Sequence, residues 1–157
     1  MPVTRETIRA DYPLPVYNYR VEIGSDSVAF TEVSGLNIAY ETSTYKESQT
    51  ASGLPGPRVM IVPGQKSPTK VTLKKGVVRR ASVAQLFGWI RTVQINQVEK
   101  KDVFIRLCDE KGEAVVSWKI ANAFPTKLDA PTFDAKSNDA AIETMELAGD
   151  SVTIEES

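Results

Sequence analysis

The sequence contains no histidine and only one cysteine, Cys108, so two of the side chains that most often carry catalysis or bind metals are nearly absent. Histidine is the commonest general base and metal ligand, and cysteine supplies the thiolates of zinc clusters and of Cys–His nucleophiles. The densest carboxylate group, Asp109, Glu110 and Glu113, lies at the tip of a predicted hairpin, where a solvated turn is the usual structure. We therefore predict a protein that is not an enzyme and that uses no cofactor or metal.

Long apolar runs are also missing, and the charge is almost balanced. No window approaches the ~20 apolar residues that a membrane-spanning helix needs, and residues 1–15 contain no apolar segment typical of a secretion signal. The formal net charge is −1, from 19 basic and 20 acidic side chains. We expect a protein that is made and folded in a cytoplasm, does not insert into a membrane, and has no overall charge preference for nucleic acid.

One local basic cluster consists of Lys74, Lys75, Arg79 and Arg80. It could bind nucleic acid, but it has no interleaved aromatic side chains, and a solvated rim is the better interpretation. In an oligomer the cluster could instead meet acidic residues of the next copy, such as those within residues 98–102 or 109–113.

Alternating apolar and polar residues predict antiparallel strands along most of the chain. The clearest runs are YNYRVEI, VAFTEVSGLNIAYETSTY, KVTLKKGV, DVFIRLCD, EAVVSWKIANAF and the segment from Ala140 to Ala148. One helix is predicted from Val83 to about Ile95, with Ser82 and Gln85 as a capping box. The final residues, SVTIEES, are interpreted as a polar tail.

These elements indicate an α+β, mainly β fold, an antiparallel sandwich or open barrel in which one helix covers a face or an end. At 157 residues, of which 41% are apolar, the composition fits a single domain over residues 1–157 with an N-terminal arm over residues 1–15. Free strand edges of such a domain could join across copies into a ring.

Residues 41–68 are predicted to form a long loop that needs a partner. The segment begins with polar residues and then contains the apolar run Val59–Val62, which is unfavourable to leave in water. A rival hypothesis is a monomeric antiparallel barrel that uses its mouth and this loop to bind a small ligand, or uses the basic cluster to bind nucleic acid.

Several strings, taken in order, resemble the tail tube proteins of contractile phage tails and related injection systems. They are PLPVYNYRVEI, FTEVSGLNIAYET, PGQ followed by KVTLKKGV, a helix that contains Trp89, QINQVEKKDVFIRLCDEKGE, and WKIANAFPTKLDAPTFDAKSNDAAIETMELA. The resemblance covers nearly the whole chain and is strongest to the inner tube proteins of antifeeding-prophage-like extracellular contractile injection systems.

This resemblance implies a structural subunit whose strands join across six copies into a hexameric ring, with rings stacked into a tube inside a sheath. The implied partners are further copies of the chain, the sheath protein, the baseplate and spike proteins, and a tape-measure or effector cargo in the lumen. The implied location is a phage tail or a released extracellular injection particle.

The candidate contact residues between subunits or rings lie in the loop over residues 41–68, because the corresponding region makes such contacts in the family. They are Tyr45, Leu54, Val59, Met60, Ile61 and Val62. Thr72 and Lys74 alternate with apolar residues, and they are candidates to face either the lumen or the sheath.

The same loop is where the sequence departs from the family that it resembles. The connection between Tyr45 and the pair Pro63-Gly64 is longer here and contains SGLPGPRVMIV, whereas the family has a shorter segment rich in Asp, Gly and aromatic residues. One hypothesis that follows is a baseplate-proximal tube initiator, which would form the first ring or rings on the spike.

Overall fold

The computed structural model describes residues 2–49, 55–94 and 97–156. In chain order its elements are helix α1 (Arg5–Asp11), strands β1 (Tyr19–Ile23), β2 (Asp26–Val28), β3 (Glu32–Ser34), β4 (Tyr40–Glu47), β5 (Arg58–Lys66) and β6 (Thr69–Gly76), a π-helix (Ala81–Phe87), helix α2 (Gly88–Ile90), and strands β7 (Lys101–Cys108), β8 (Ala114–Asp129), β9 (Ile142–Gly149) and β10 (Ser151–Glu156). The π-helix and α2 are consecutive and are called the crossing helix below.

Eight of the strands form one antiparallel sheet that folds over on itself into two layers. The first layer has the order β2-β1-β7-β8-β10, and the second has the order β8-β9-β6-β3, so β8 belongs to both. The core lies between the layers and includes Val21, Val103 and Ile120 from the first and Leu73 and Leu147 from the second. The predicted open antiparallel sandwich is confirmed.

Strand β8 serves both layers because its side-chain alternation reverses at Asn122. Ile120 faces the core before this residue and Ala123 faces it afterwards, so one residue breaks the period of two. Asn122 has a φ of 51°, a left-handed conformation that few non-glycine residues adopt. Its Nδ2 donates to Asp150 Oδ2 at 2.9 Å, and Asp150 N donates to Ala121 O at 2.9 Å, so β8 and the β9–β10 junction bend together.

Asn122→Ala is expected to destabilise the fold by about 1–2 kcal/mol, because alanine is strained at positive φ and loses the bond to Asp150. Asn122→Gly also loses that bond but relieves the strain, so it should stay within about 1 kcal/mol of the wild type. Denaturant unfolding of both variants measures the difference. Equal stabilities would show that backbone conformation is not what selects asparagine here.

The crossing helix connects the end of β6 to the start of β7 and closes one end of the sandwich. Gly88 N–H donates to Val83 O, five residues back, as in a π-helix. Ser82, Leu86 and Trp89, spaced by four and three residues, are buried on the inner face of the helix, and Trp89 Nε1 donates to Glu99 O at 2.7 Å. The predicted capping box is wrong, since Ser82 is inside the helix and its Oγ accepts from Val78 N at 3.0 Å.

Among the described residues, the interior contains one charged pair, Lys75 on β6 and Glu143 directly opposite on β9. Lys75 Nζ lies 3.8 Å from Glu143 Oε1 and donates to Gly76 O at 2.7 Å. Their side chains are only 4% and 10% exposed. The prediction that Lys75 belongs to a solvated basic rim is therefore wrong, because β6 alternates and its odd-numbered positions face the core.

Four further expectations need correction, and all of them concern segments in which the periodicity of apolar residues is weak. The N-terminal arm contains helix α1, capped by Thr4, whose Oγ1 accepts from Thr7 N at 3.2 Å, so the chain has more than the one predicted helix. The predicted loop over residues 41–68 is largely the hairpin of β4 and β5, and the predicted polar tail contains β10. The crossing helix ends at Ile90, while the predicted end at Ile95 lies outside the described residues.

Candidate assembly interfaces

Strands β4 and β5 form a ribbon, called the hairpin below, that pairs with no other strand among the described residues. At the base of the hairpin, Ser67 N donates to Ala39 O at 2.9 Å. At the opposite end, where β4 ends and β5 begins, Arg58 Nη1 lies 3.8 Å from Glu47 Oε1. A two-stranded hairpin without further contacts is marginally stable in water. This geometry indicates a segment that is stabilised by another molecule.

Both faces of the hairpin carry apolar side chains. The register places Tyr45 opposite Met60 on one face and Thr44 opposite Ile61 on the other. Ile61 is 72% exposed, Val59 54% and Tyr45 53%. Because strand neighbours alternate between faces, the run Val59–Val62 gives each face two apolar residues, and covering one face would leave the other in water.

The structure therefore brings together most of the residues predicted to contact other copies. Tyr45, Met60 and Val62 share one face, whereas Val59 and Ile61 share the opposite face. Leu54 lies outside the described residues. That these residues contact other copies stays a prediction. The sequence pattern predicted an extended run as far as Tyr45 but missed β5, because apolar residues at consecutive positions conceal a two-faced ribbon.

A second apolar surface is a groove between β3 and the first layer, which the sequence interpretation missed. It has a volume of about 440 Å³ and is lined mainly by Tyr19, Val33, Leu36, Leu107 and Trp118. Tyr19 Oη donates to Phe30 O at 2.7 Å, and burial, with the nearby Glu32 carboxylate, raises the pKa of Tyr19 above its ordinary value. The groove begins beside Leu36, a few residues before the hairpin starts.

Strands β2, β3 and β10 of the folded sheet each have a free edge. In the part of the chain that the structure describes, β2, β3 and β10 each pair with one neighbour only. Free edges present unpaired backbone groups that can bond to a strand of another chain. The domain thus carries several positions at which copies could continue its sheet.

The outward face of the second layer is polar and contains Thr72 and Lys74. Both are half-buried on β6, and Lys74 Nζ lies 3.6 Å from Glu32 Oε2 on β3. The charged side chains that share this face are Lys70, Lys74 and Lys127 with Glu32, Asp129 and Glu146. Positive and negative groups are therefore equal in number on this wall.

The outward face of the first layer has the same balance and a denser network. Arg106 Nε donates to Glu22 Oε2 at 2.9 Å and Arg106 Nη1 donates to Ser117 Oγ at 3.1 Å. The Arg106 guanidinium carbon lies 4.5 Å from the centroid of the Phe104 ring. The charged residues of this face are Arg20, Arg106 and Lys119 with Glu22, Asp102 and Glu155.

No cluster of potential metal ligands is found in the described ranges. Three or more Asp, Glu or Cys side chains do not converge on a metal position anywhere in them. None of the helices in these ranges has both the length and the apolar composition needed to cross a bilayer.

Free sheet edges, a protruding two-faced hairpin, an uncovered apolar groove and balanced outer faces define a subunit that completes itself in a larger assembly. The family model described as T4-like virus tail tube protein gp19 matches residues 15–153. The chain belongs to this tail tube family, and its role is that of a structural tail tube protein, a component of a phage tail or an extracellular contractile injection particle. No curated protein sequence matches it.

Solved structures agree with this assignment. A chain in the sheath–tube complex of the PVC extracellular contractile injection system in the extended state is 39% identical, with a TM-score of 0.86, covering 99% of this chain and 100% of that one. A chain in the PVC sheath/tube terminator is 41% identical, with a TM-score of 0.82, covering 93% and 99%. A chain in the anti-feeding prophage baseplate shares the fold at 21% identity, with a TM-score of 0.75, covering 92% and 96%.

Proposed function

We propose that six copies of this chain join into a ring and that the rings stack into the inner tube of a contractile injection system or phage tail. The observation that carries the proposal is the hairpin, which has apolar side chains on both faces that the described part of its own chain leaves exposed. A ribbon of this kind is stable where other molecules contact both of its faces. Tyr45, Val59, Met60, Ile61 and Val62 are its contact residues, and Leu54 is proposed to join them.

The free edges of β2, β3 and β10 support ring closure, because strands of neighbouring copies can pair there and satisfy the backbone groups of each edge. The groove beside Leu36 provides an apolar surface that a neighbouring copy can contact. Ring formation would thus bury the surfaces that an isolated copy leaves in water.

A tube inside such a particle would also contact the particle's other components. We propose that the tube meets the sheath protein on its outside, the baseplate and spike proteins at one end, and a tape-measure or effector cargo in its lumen, after assembly in the bacterial cytoplasm. Thr72 and Lys74 then line either the lumen or the wall that faces the sheath. The protein acts as a conduit and not as an enzyme, in accord with its structural family and the lack of histidine.

The chain's position along the tube is a separate question, between the repeating shaft and the first ring on the spike. Identity is higher to the chains of the sheath–tube complex (39%) and of the sheath/tube terminator (41%) than to the baseplate chain (21%), which supports a position away from the spike. Electron microscopy of the purified protein tests the function and the position. Hollow six-fold tubes of extended length are expected for the shaft, short rings would indicate the initiator, and a monodisperse monomer at high concentration would contradict the proposal.

A further inference from the structure

The outer face of the crossing helix is apolar and basic, although the opposite face of the helix is core. Val83 and Phe87 lie four residues apart and are 62% and 50% exposed. Arg80 and Arg91 are exposed beside them, and the Arg91 guanidinium carbon lies 5.9 Å from the centroid of the Phe87 ring. The helix has no acidic residue in its first turn that would neutralise these cations.

The other end of the molecule has the reverse charge around an apolar cavity. Helix α1, the following arm and the β7–β8 turn enclose about 420 Å³, with Ile8, Tyr12, Leu14 and Tyr17 among the lining residues. The turn contributes Asp109, Glu110 and Glu113 to the same lining, which also contains two cations, Lys111 and Arg9. Arg9 Nη2 lies 3.4 Å from Glu110 Oε1, and both of these side chains are about two-thirds exposed, so Glu110 remains accessible to another molecule. Glu155 and Glu156, at the end of β10, add exposed acids at this end of the sheet.

Strand β7 separates the two surfaces. It starts next to the crossing helix, where Trp89 bonds to Glu99 O, and it ends at Cys108, just before the acidic turn. Its 8 residues span about 25 Å at roughly 3.3 Å per residue. Because the surfaces are different and lie at opposite ends, a contact between them joins copies head to tail, the type of contact that builds rings or continuing stacks.

We propose that the basic, apolar face of the crossing helix binds the acid-rimmed cavity of a second copy of this chain. Phe87 and Val83 enter the cavity, while Arg80 and Arg91 pair with Glu110 and Glu113 of that copy. Complementary charge fixes the orientation, and the apolar side chains leave water. This inference rests on the proposed tube assembly and assigns one of its contacts to residues outside the hairpin.

Charge reversal tests the contact with two variants. The helix variant is Arg80→Glu with Arg91→Glu, and the turn variant is Glu110→Lys with Glu113→Lys. Asp109 is left intact because its Oδ1 accepts from Lys111 N and Glu113 N and so holds the turn. Each variant alone places like charges at the contact, so its critical concentration for assembly, measured by sedimentation, should rise by at least about tenfold.

Two complementary experiments separate this contact from a general loss of folding. The helix and turn variants, mixed in equal amounts, should co-assemble, because each then presents the charge that the other lacks. A single chain with all four substitutions should also assemble alone, at a critical concentration within about threefold of the wild type. The conservative variant Arg80→Lys with Arg91→Lys keeps both charges and is the matched control.

The possible outcomes distinguish this contact from the tube itself. If the wild type assembles and the helix variant assembles equally well, the contact is wrong although the tube stands, and the helix face is then available to another protein such as the sheath. If both variants fail and neither mixing nor combination restores assembly, the pairing is also wrong. If the wild type forms no rings, the proposed function fails first.

Discussion

Replacing Val59 and Ile61 together by threonine is expected to abolish tube formation at concentrations where the wild type assembles. Threonine keeps the branched shape and strand propensity of these positions but makes one hairpin face polar. The loss of two apolar contacts costs about 2–4 kcal/mol per copy, or roughly 30- to 1,000-fold in the association constant. Negative-stain electron microscopy and sedimentation of the purified protein measure this loss.

The opposite face gives a second version of the same experiment. Met60→Gln with Val62→Thr should weaken assembly by a similar factor if both faces are covered, whereas Ser43→Thr, on the same ribbon, should have little effect. All three variants should keep the wild-type free energy of unfolding within about 0.5 kcal/mol, because the hairpin is outside the core. Normal tubes from both double variants, or from a chain lacking residues 50–62, would remove the hairpin from the interface.

Lys75→Met is expected to destabilise the monomer by about 3–5 kcal/mol, the largest effect we expect from one substitution. It would leave the Glu143 carboxylate buried without its cation, and among the described residues Glu143 Oε1 already accepts no hydrogen bond. Lys75 Nζ also lies 3.5 Å from Ser82 Oγ, so the start of the crossing helix would lose a neighbour. Urea unfolding at neutral pH measures the change.

The double variant Lys75→Met with Glu143→Leu is the control for this prediction. Replacing both members of a buried ion pair by apolar residues of similar size is often neutral or stabilising, so most of the lost free energy should return. If the double variant were as unstable as Lys75→Met alone, the loss would come from packing around position 75 and not from an unpaired charge.

Sequence alone predicts the strands whose alternation matches a single buried face. Val21 and Ile23 on β1, and Val71 and Leu73 on β6, follow this pattern and are buried as expected. The irregular parts escape it because tertiary geometry determines them. Asn122 reverses the alternation of β8, and only the adjacent β9–β10 junction shows why, while Lys75 continues an inward pattern that a charged residue would ordinarily end.

The candidate interfaces divide in the same way. The sequence itself shows that the run Val59–Val62 is apolar and lies within a polar segment. The hairpin could therefore be predicted as a contact segment. The groove at Leu36 and Trp118 could not, since it forms between residues far apart in the chain. Phe87 lies outward beside the buried Leu86, and its apolar side chain alone does not predict this position.

The two outward faces of the sandwich, each with three cations and three anions, bear on how a tube of this protein would treat whatever moves through it. Whichever layer lines the channel, a polymer in transit passes alternating attractive and repulsive groups only a few ångströms apart. These fields largely cancel towards the middle of the bore. The channel would then neither attract an acidic polymer nor repel a basic one, and electrostatic interactions with its wall would have little effect on the speed of delivery.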